Sequence, residues 1–129
     1  MAGDNGIDLD VKTFILEKVE SVEHVEILLL LHAHPERDWS ADEISQTLRN
    51  SRESANLRLS DLAGKGILRP SASDSTRYRY APRDHKLAET VDKLVTTYSE
   101  RRVSVINLIF SKPLERIQVF ADAFKIRKD

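Results

Sequence analysis

The chain has 129 residues, no cysteine and a formal net charge of −1 at pH 7. This length suits one domain with its own core, and the lack of cysteine excludes disulfides and thiolate metal sites. No apolar run reaches the roughly 18 residues of a membrane-spanning helix, and residues 1–10 are acidic, unlike a secretory signal. We therefore expect a cytoplasmic protein with no membrane partner.

Charge is distributed unevenly along the chain. Residues 1–48 contain 3 basic and 11 acidic residues, residues 49–86 contain 9 and 4, and residues 87–129 contain 8 and 6. The net charges of the three segments are therefore −8, +5 and +2. A basic segment can be a simple solvated surface, but it is also what a nucleic-acid backbone attracts. The middle segment is thus the first candidate for a binding surface.

The first third of the chain predicts two helices. Apolar residues spaced along 8–20 indicate the first helix, and the second begins near Ser21 and ends before Pro35. Because residues 27–31 are apolar without interruption, the second helix is apolar on nearly every side and should be buried.

The next stretch predicts two further helices joined by a short turn. Ser40 stands three residues before Glu43, which is the capping-box spacing at the start of a helix. A turn at 49–51 interrupts that helix, and Ser51 suits the N-cap of a second helix at 52–64. This order is typical of a helix-turn-helix, in which the second helix lies in the major groove of DNA.

The helix at 52–64 has two faces that follow from its periodicity. Its buried stripe comprises Ala55, Leu59 and Leu62, and Gly64 and Gly66 end the helix. The candidate DNA-contacting residues on its outer side and N-terminal edge are Ser51, Arg52, Ser54, Asn56, Leu57 and Ser60. We therefore treat residues 52–64 as a candidate recognition helix.

The chemistry of these side chains suits the edges of bases. Asn56 can form two hydrogen bonds with adenine, Arg52 can bind guanine or phosphate, and the serines near the N-terminus suit phosphate. Leu57 would either meet a thymine methyl group or form a partly buried helix rim. The acidic Glu53 and Asp61 would either read cytosine or repel the phosphate backbone.

Two β-prone runs follow, at 67–69 and 77–80, joined by a small polar loop at 71–76. Pro70 should lie at a strand edge because it has no N–H to donate. Alternation places two arginines on one face of 77–80 and two tyrosines on the other, so the arginines would be free for phosphate or the minor groove. The candidate contacts in this hairpin are Arg69, Arg77 and Arg79. Asp74 in the loop argues against deep insertion into the minor groove.

The run SADEISQTLRNSRESANLRLSDLAGKGIL, with the arginine-bearing hairpin after it, resembles the winged helix-turn-helix transcriptional regulators, broadly of the MarR-like kind. The resemblance covers residues 40–80 and extends more loosely through the flanking helices. It implies a mainly α fold with a small β-hairpin, and regulation of transcription by a homodimer on double-stranded DNA. The chain departs from the family at Arg49 and Asn50, where small and apolar residues are common. Because winged helices also bind proteins, a protein-interaction module without sequence-specific DNA binding is the alternative.

After the hairpin, residues 85–111 predict one long helix with a near-heptad apolar pattern in which Arg101 is the one exception. Pro113 separates it from a further helix at 114–124. An exposed apolar helix of this length needs cover, so it should form a homodimer interface or fold back on the winged domain. The expected division is an acidic segment and helix at 1–20, the winged helix-turn-helix at 21–83, and C-terminal helices at 84–129.

No pattern in the sequence indicates catalysis or a cofactor. His32 and His34 would point about 200° apart on a helix and could not share a metal ion. Neither a zinc-protease pattern nor a glycine-rich phosphate loop is present. We therefore expect no enzyme activity and no bound metal or cofactor. The histidines, His24, His32, His34 and His85, should lie at the surface or at helix ends.

Overall fold

A computed structural model describes residues 6–112. This part of the chain is mainly helical, with a small three-stranded antiparallel sheet. The helices are α1 (Leu9–Lys18), α2 (Val22–Ala33), α3 (Ala41–Leu48), α4 (Arg52–Gly64), α5 (His85–Glu100) and α6 (Arg102–Phe110), and the strands are β1 (Trp39–Ser40), β2 (Leu68–Pro70) and β3 (Arg77–Tyr80). The helix predicted at 114–124 lies outside the described residues.

The chain divides into two compact units. One unit, Glu23–Asp92, contains most of α2, the pair α3 and α4, the sheet and the first half of α5. The other joins the described residues before Glu23 to those after Asp92, and in it α1 packs against α6. The boundaries between these units fall inside α2 and α5, whereas the division expected from the sequence lies at 20/21 and 83/84.

Local capping explains why the two central helices begin where the sequence predicts. The Ser40 hydroxyl accepts a hydrogen bond from the Glu43 N–H at 3.2 Å, and the Glu43 carboxylate accepts one from the Ser40 N–H at 3.0 Å. This is a complete capping box at the start of α3. The Ser51 hydroxyl accepts a hydrogen bond from the Ser54 N–H at 3.0 Å, which caps α4. Both predicted helix starts are confirmed.

The turn between α3 and α4 is three residues long and is closed by hydrogen bonds. Arg49 adopts the left-handed conformation, with φ 59° and ψ 41°, and its N–H donates to the Ser45 carbonyl at 2.8 Å. The Ser45 hydroxyl in turn donates to the carbonyl of Asn50. These contacts satisfy backbone groups that the end of α3 leaves open.

The sheet contains a strand that the sequence did not predict. Its order is β1-β3-β2, and β1 pairs with β3 through Trp39 opposite Tyr78 and Ser40 opposite Arg77. A two-residue strand has too few positions to produce an alternating pattern, so sequence periodicity could not reveal it. Pro70 lies on the outer strand β2, as its missing N–H predicts.

The long helix predicted at 85–111 is instead two helices. Arg101 has a non-helical backbone, with φ −135° and ψ 50°, and separates α5 from α6. After this break α6 packs against α1, and its residues Val105 and Ile109 are buried. The residue that interrupted the apolar pattern is therefore the point where the helix ends, and packing of α6 on α1 stabilises the break.

Candidate nucleic-acid interface

Helix α4 has one buried face and one exposed face. Ala55, Leu59 and Leu62 are at most 1% exposed, as their spacing predicts. The exposed side chains are Ser51, Arg52, Glu53, Asn56, Leu57 and Ser60. Leu57 is 63% exposed, which excludes a partly buried helix rim and leaves its apolar side chain available to a ligand. The outer face of α4 thus contains an arginine, an amide, a leucine and hydroxyl groups.

Ser54 does not belong to this exposed face. Its hydroxyl donates a 2.5 Å hydrogen bond to Glu23 of α2, which also accepts from the Asn50 amide at 2.7 Å and from Nε of Arg58 at 3.2 Å. Burial acts to raise the pKa of this carboxyl, but the hydrogen bonds from Ser54, Asn50 and Arg58 outweigh it and hold the pKa below its ordinary value. The Ser54 hydroxyl therefore ties α4 to α2, and its proton is not free to make the phosphate contact predicted for it.

Asp61 also points toward α2 rather than outward. Its Oδ2 atom lies 3.0 Å from Nε2 of His24 and 2.8 Å from Nζ of Lys65. The contact with His24 is electrostatic rather than an aligned hydrogen bond. His24 is 1% exposed and lies in the first turn of α2, so of the two expected positions, the surface or a helix end, it has the second. Asp61 is accordingly a partner of the buried helix and not a group that faces a base.

Arg77 in the centre of the sheet is held by acidic and carbonyl oxygens. One of its Nη atoms lies 2.8 and 3.0 Å from the two carboxylate oxygens of Glu43 and 3.2 Å from the Asp38 carbonyl. The hydrogen bond from the Ser40 N–H and the Arg77 guanidinium lower the pKa of the Glu43 carboxyl against the opposing effect of burial. The capping box of α3 is thus also an anchor for β3.

Arg79, which lies two residues after Arg77 on β3, makes a similar contact. Its Nε atom lies 2.6 Å from Oδ1 of Asp38, and this contact lowers the pKa of the Asp38 carboxyl. Arg77 and Arg79 are each paired with a carboxylate, so neither offers the unpaired positive charge expected from the sequence for a phosphate contact. The reason is that β1 pairs with β3 and brings carboxylates from the acidic first third of the chain against the basic hairpin.

Three further arginines near α4 differ in whether a carboxylate contacts them. Arg49, in the turn before α4, and Arg69, on β2, are both exposed and make no ion pair within residues 6–112. Arg52, at the first position of α4, pairs with Asp42 through a 3.2 Å contact. The structure therefore leaves a turn arginine and an outer-strand arginine as the unpaired positive groups that flank α4 and the sheet.

The tip of the hairpin is closed by its own side chains. Asp74 accepts hydrogen bonds from the N–H of Thr76 at 3.0 Å and from its hydroxyl at 2.6 Å, and these lower the pKa of the Asp74 carboxyl.

On β3, the Tyr80 ring packs edge-on against His32, with centroids 5.0 Å apart. Burial raises the pKa of Tyr80 to about 12. Tyr78 and Tyr80 are partly buried, but Arg77 is partly buried too, and on β3 Arg79 alone is exposed, so burial follows the predicted alternation only in part.

An open groove of about 660 Å³ lies between the N-terminus of α3, the N-terminal half of α4 and the hairpin tip. Its lining residues are Ser40, Ala41, Asp42, Arg52, Glu53, Asn56 and Thr76. The groove brings together two residues predicted to contact bases, Arg52 and Asn56. Sequence reasoning did not single out Asp42, although its place in the first turn of α3 is set by the capping box.

Within residues 6–112, no three His, Asp or Glu side chains are grouped so that they could hold a metal ion. In the same part of the chain, no helix combines the length and apolar character needed to cross a membrane. Comparison with protein-family models, with curated protein sequences and with solved structures gives no match for this chain. The arrangement of exposed and paired residues around α4 is therefore the main basis for proposing a function.

Proposed function

We propose that this chain is a winged helix-turn-helix transcriptional regulator, acting in the cytoplasm on double-stranded DNA. In this proposal α4 enters the major groove, and the hairpin formed by β2 and β3 is the wing. The observation that carries the proposal is the outer face of α4, where Arg52, Asn56, Leu57 and Ser60 are exposed next to a capped turn. These side chains can recognise guanine, adenine, a thymine methyl group and phosphate.

The proposed phosphate contacts are the basic side chains that have no carboxylate partner. Arg49 and Arg69 are the candidates within the unit that contains α4, since the carboxylates of Glu43 and Asp38 hold Arg77 and Arg79. Ser51 at the N-terminus of α4 adds a hydroxyl at the positive end of the helix dipole. The wing would therefore contact the DNA backbone mainly through its outer strand.

The direct test is retardation of genomic DNA fragments by the full-length chain at low salt. Asn56→Ala should weaken binding to a preferred site by about 1–3 kcal/mol and relax the base preference at one position, because an asparagine–adenine pair is lost. Ser99→Ala, an exposed polar change on α5, serves as the control and should leave binding unchanged. Failure of the wild-type chain to retard any fragment would overturn the proposal.

A homodimer through the C-terminal helices is part of the proposal. Two large apolar side chains of α6, Val103 and Phe110, are 70% and 75% exposed. A second copy would cover them, and a homodimer would suit an operator whose two half-sites are about 34 Å apart, one turn of DNA. We expect Val103→Glu with Phe110→Glu to lower the mass seen in sedimentation equilibrium from two chains to one. A wild-type chain that sediments as a monomer at micromolar concentration would remove the dimer.

A protein-interaction module is the second candidate, and the internal ion pairs favour it. Arg58, Arg77 and Arg79 each contact a carboxylate of the same unit, which reduces the charge offered to DNA. The two candidates differ in their salt dependence. DNA binding requires the logarithm of affinity to fall with the logarithm of salt concentration by about 0.9 per phosphate neutralised, whereas a protein partner follows no such rule.

A further inference from the structure

Arg52 and Asp42 form an ion pair across the turn between α3 and α4. Nε of Arg52, the first residue of α4, lies 3.2 Å from Oδ1 of Asp42 in the first turn of α3. The two side chains are 73% and 60% exposed, and both line the groove together with Asn56. Within residues 6–112 this is the only partner of the Arg52 side chain.

The atom through which Arg52 makes this pair decides what the rest of the side chain can do. A guanidinium has one N–H on Nε and four on its two Nη atoms. Asp42 approaches Nε as an ion pair, and the two Nη groups at the end of the side chain make no hydrogen bond within residues 6–112, so both are open to a ligand. Two such donors match the O6 and N7 acceptors that guanine presents in the major groove.

We propose that Asp42 is a positioning residue that holds Arg52 for recognition of guanine. This inference rests on the proposed DNA-binding function and adds to it the base that is read and the residue that orients the reader. Asn56 lies four residues after Arg52, about 6 Å along the same helix. The preferred site therefore contains a guanine and an adenine within about two base-pair steps of each other, at 3.4 Å per step.

If Asp42 positions Arg52, its removal should affect base preference and overall DNA affinity in opposite directions. Asp42 is an acidic group at a surface that would approach phosphates, so its removal should strengthen binding to DNA of any sequence. If Asp42 also orients Arg52, the same change lowers the preference for guanine over the other bases. A merely repulsive or structural role would change affinity or folding without changing which base is preferred.

The experiment uses the full-length chain and a library of random-sequence duplexes, with the bound fraction sequenced to give the preference at each position. The variants are Asp42→Ala, Asp42→Asn, Arg52→Lys and the double variant Asp42→Ala with Arg52→Lys. Glu89→Ala is the charge-matched control, because it removes an exposed carboxylate on α5 outside the groove. Circular dichroism at the assay temperature verifies that each variant is folded.

The wild type should prefer guanine at one position by about fivefold or more, and Arg52→Lys should reduce this preference to below about twofold. Because an exposed ion pair is weak, Asp42→Ala should lower the preference about two- to fivefold. Asp42→Asn keeps an acceptor oxygen and should fall in between. In the Arg52→Lys background, Asp42→Ala should leave the base preference unchanged, as required if Asp42 acts through Arg52.

Two results would overturn the inference in distinguishable ways. If the wild type selects a site but Asp42→Ala changes its guanine preference no more than Glu89→Ala does, Asp42 does not position Arg52, while the proposed function stands. If the wild-type chain recovers no duplex above background at low salt, the proposed function and the inference fail together.

Discussion

Arg49 is a residue whose backbone conformation conflicts with its side chain. Within residues 6–112 it is the only non-glycine residue with a positive φ, at 59°. An L-residue in the left-handed region costs about 1–2 kcal/mol, and glycine at this place in a turn would avoid that cost. The arginine is exposed and unpaired within the same residues, so its charge is the property that a glycine would lack.

We therefore expect Arg49→Gly to stabilise the protein by about 0.5–1 kcal/mol, since relief of the strained φ exceeds the greater chain entropy of glycine. Urea denaturation measures this change. Gln46→Gly, at an exposed position inside α3, is the matched control and should destabilise by about 1 kcal/mol. Equal destabilisation by both substitutions would contradict the argument. The same Arg49→Gly variant should bind DNA more weakly if Arg49 contacts phosphate.

The glycines at the end of α4 provide a second comparison at the residue scale. Gly66 has φ +80°, and a Cβ there would lie 2.7 Å from the Cδ atom of Arg83. Gly64 is helical, and a Cβ there would meet nothing within 4 Å. Gly66→Ala should lower the free energy of unfolding by about 1 kcal/mol or more, while Gly64→Ala should raise it by about 0.5–1 kcal/mol. Thermal unfolding of the two variants under one set of conditions tests the opposite signs.

At the scale of elements, Glu23 connects α2 to both the turn and α4. One carboxylate accepts hydrogen bonds from Asn50, Ser54 and Arg58, which lie in the turn and on the inner side of α4. The apolar contacts of Ala55, Leu59 and Leu62 bury α4, but apolar packing is not directional. The apolar stripe sets which face of α4 is buried, and the polar contacts of Glu23 add directional ties that turn Ser54 and Arg58 toward α2.

Glu23→Ala should destabilise the unit by about 1–3 kcal/mol, because three polar partners lose their acceptor. The pKa of Glu23 is lowered in the folded chain, so its contribution is complete above the ordinary glutamate pKa of about 4.3 and is lost as the pH falls further. Melting temperatures measured from pH 6 to pH 3 should therefore drop less steeply in Glu23→Gln than in the wild type. Glu89→Gln, on the exposed face of α5, should follow the wild-type curve. Parallel curves for wild type and Glu23→Gln would contradict this account.

At the scale of the whole molecule, folding pairs the acidic residues of one sequence segment with the basic residues of another. The acidic segment 1–48 supplies Glu23, Asp38, Asp42 and Glu43, and these carboxylates pair with arginines of the basic segment 49–86. The surface around α4 is consequently less positive than the sequence suggests. Binding to DNA by this chain would depend on shape and base contacts more than on net charge.

Asp38→Asn tests this view, because it removes the partner of Arg79 while keeping the side-chain shape. We expect tighter binding to a random-sequence duplex and a salt slope steeper by about 0.9, the value for one additional phosphate contact. Adding Arg79→Ala to Asp38→Asn should return the slope to its wild-type value. An unchanged slope in Asp38→Asn would mean that Arg79 does not reach the phosphate backbone.

The sequence by itself determined the features that depend on neighbouring residues. Ser40 and Ser51 cap helices through contacts with residues three positions later, and the spacing of Ala55, Leu59 and Leu62 fixes the buried face of α4. The outward direction of Asn56 and Leu57 follows from the same periodicity. These features were predictable because helix caps and helix periodicity involve only one or two turns of chain.

Only the tertiary structure decided which polar groups are free to bind. Ser54 and Asp61 point toward α2, and Arg77 and Arg79 are held by carboxylates some 34 and 41 positions earlier in the chain. The two-residue strand β1 that brings these groups together carries no periodic signal. Pairing between distant charged residues depends on how helices and strands pack, and residue spacing contains no information about that packing. The sequence thus identified the candidate recognition helix, and the fold selected the side chains on it that can meet a ligand.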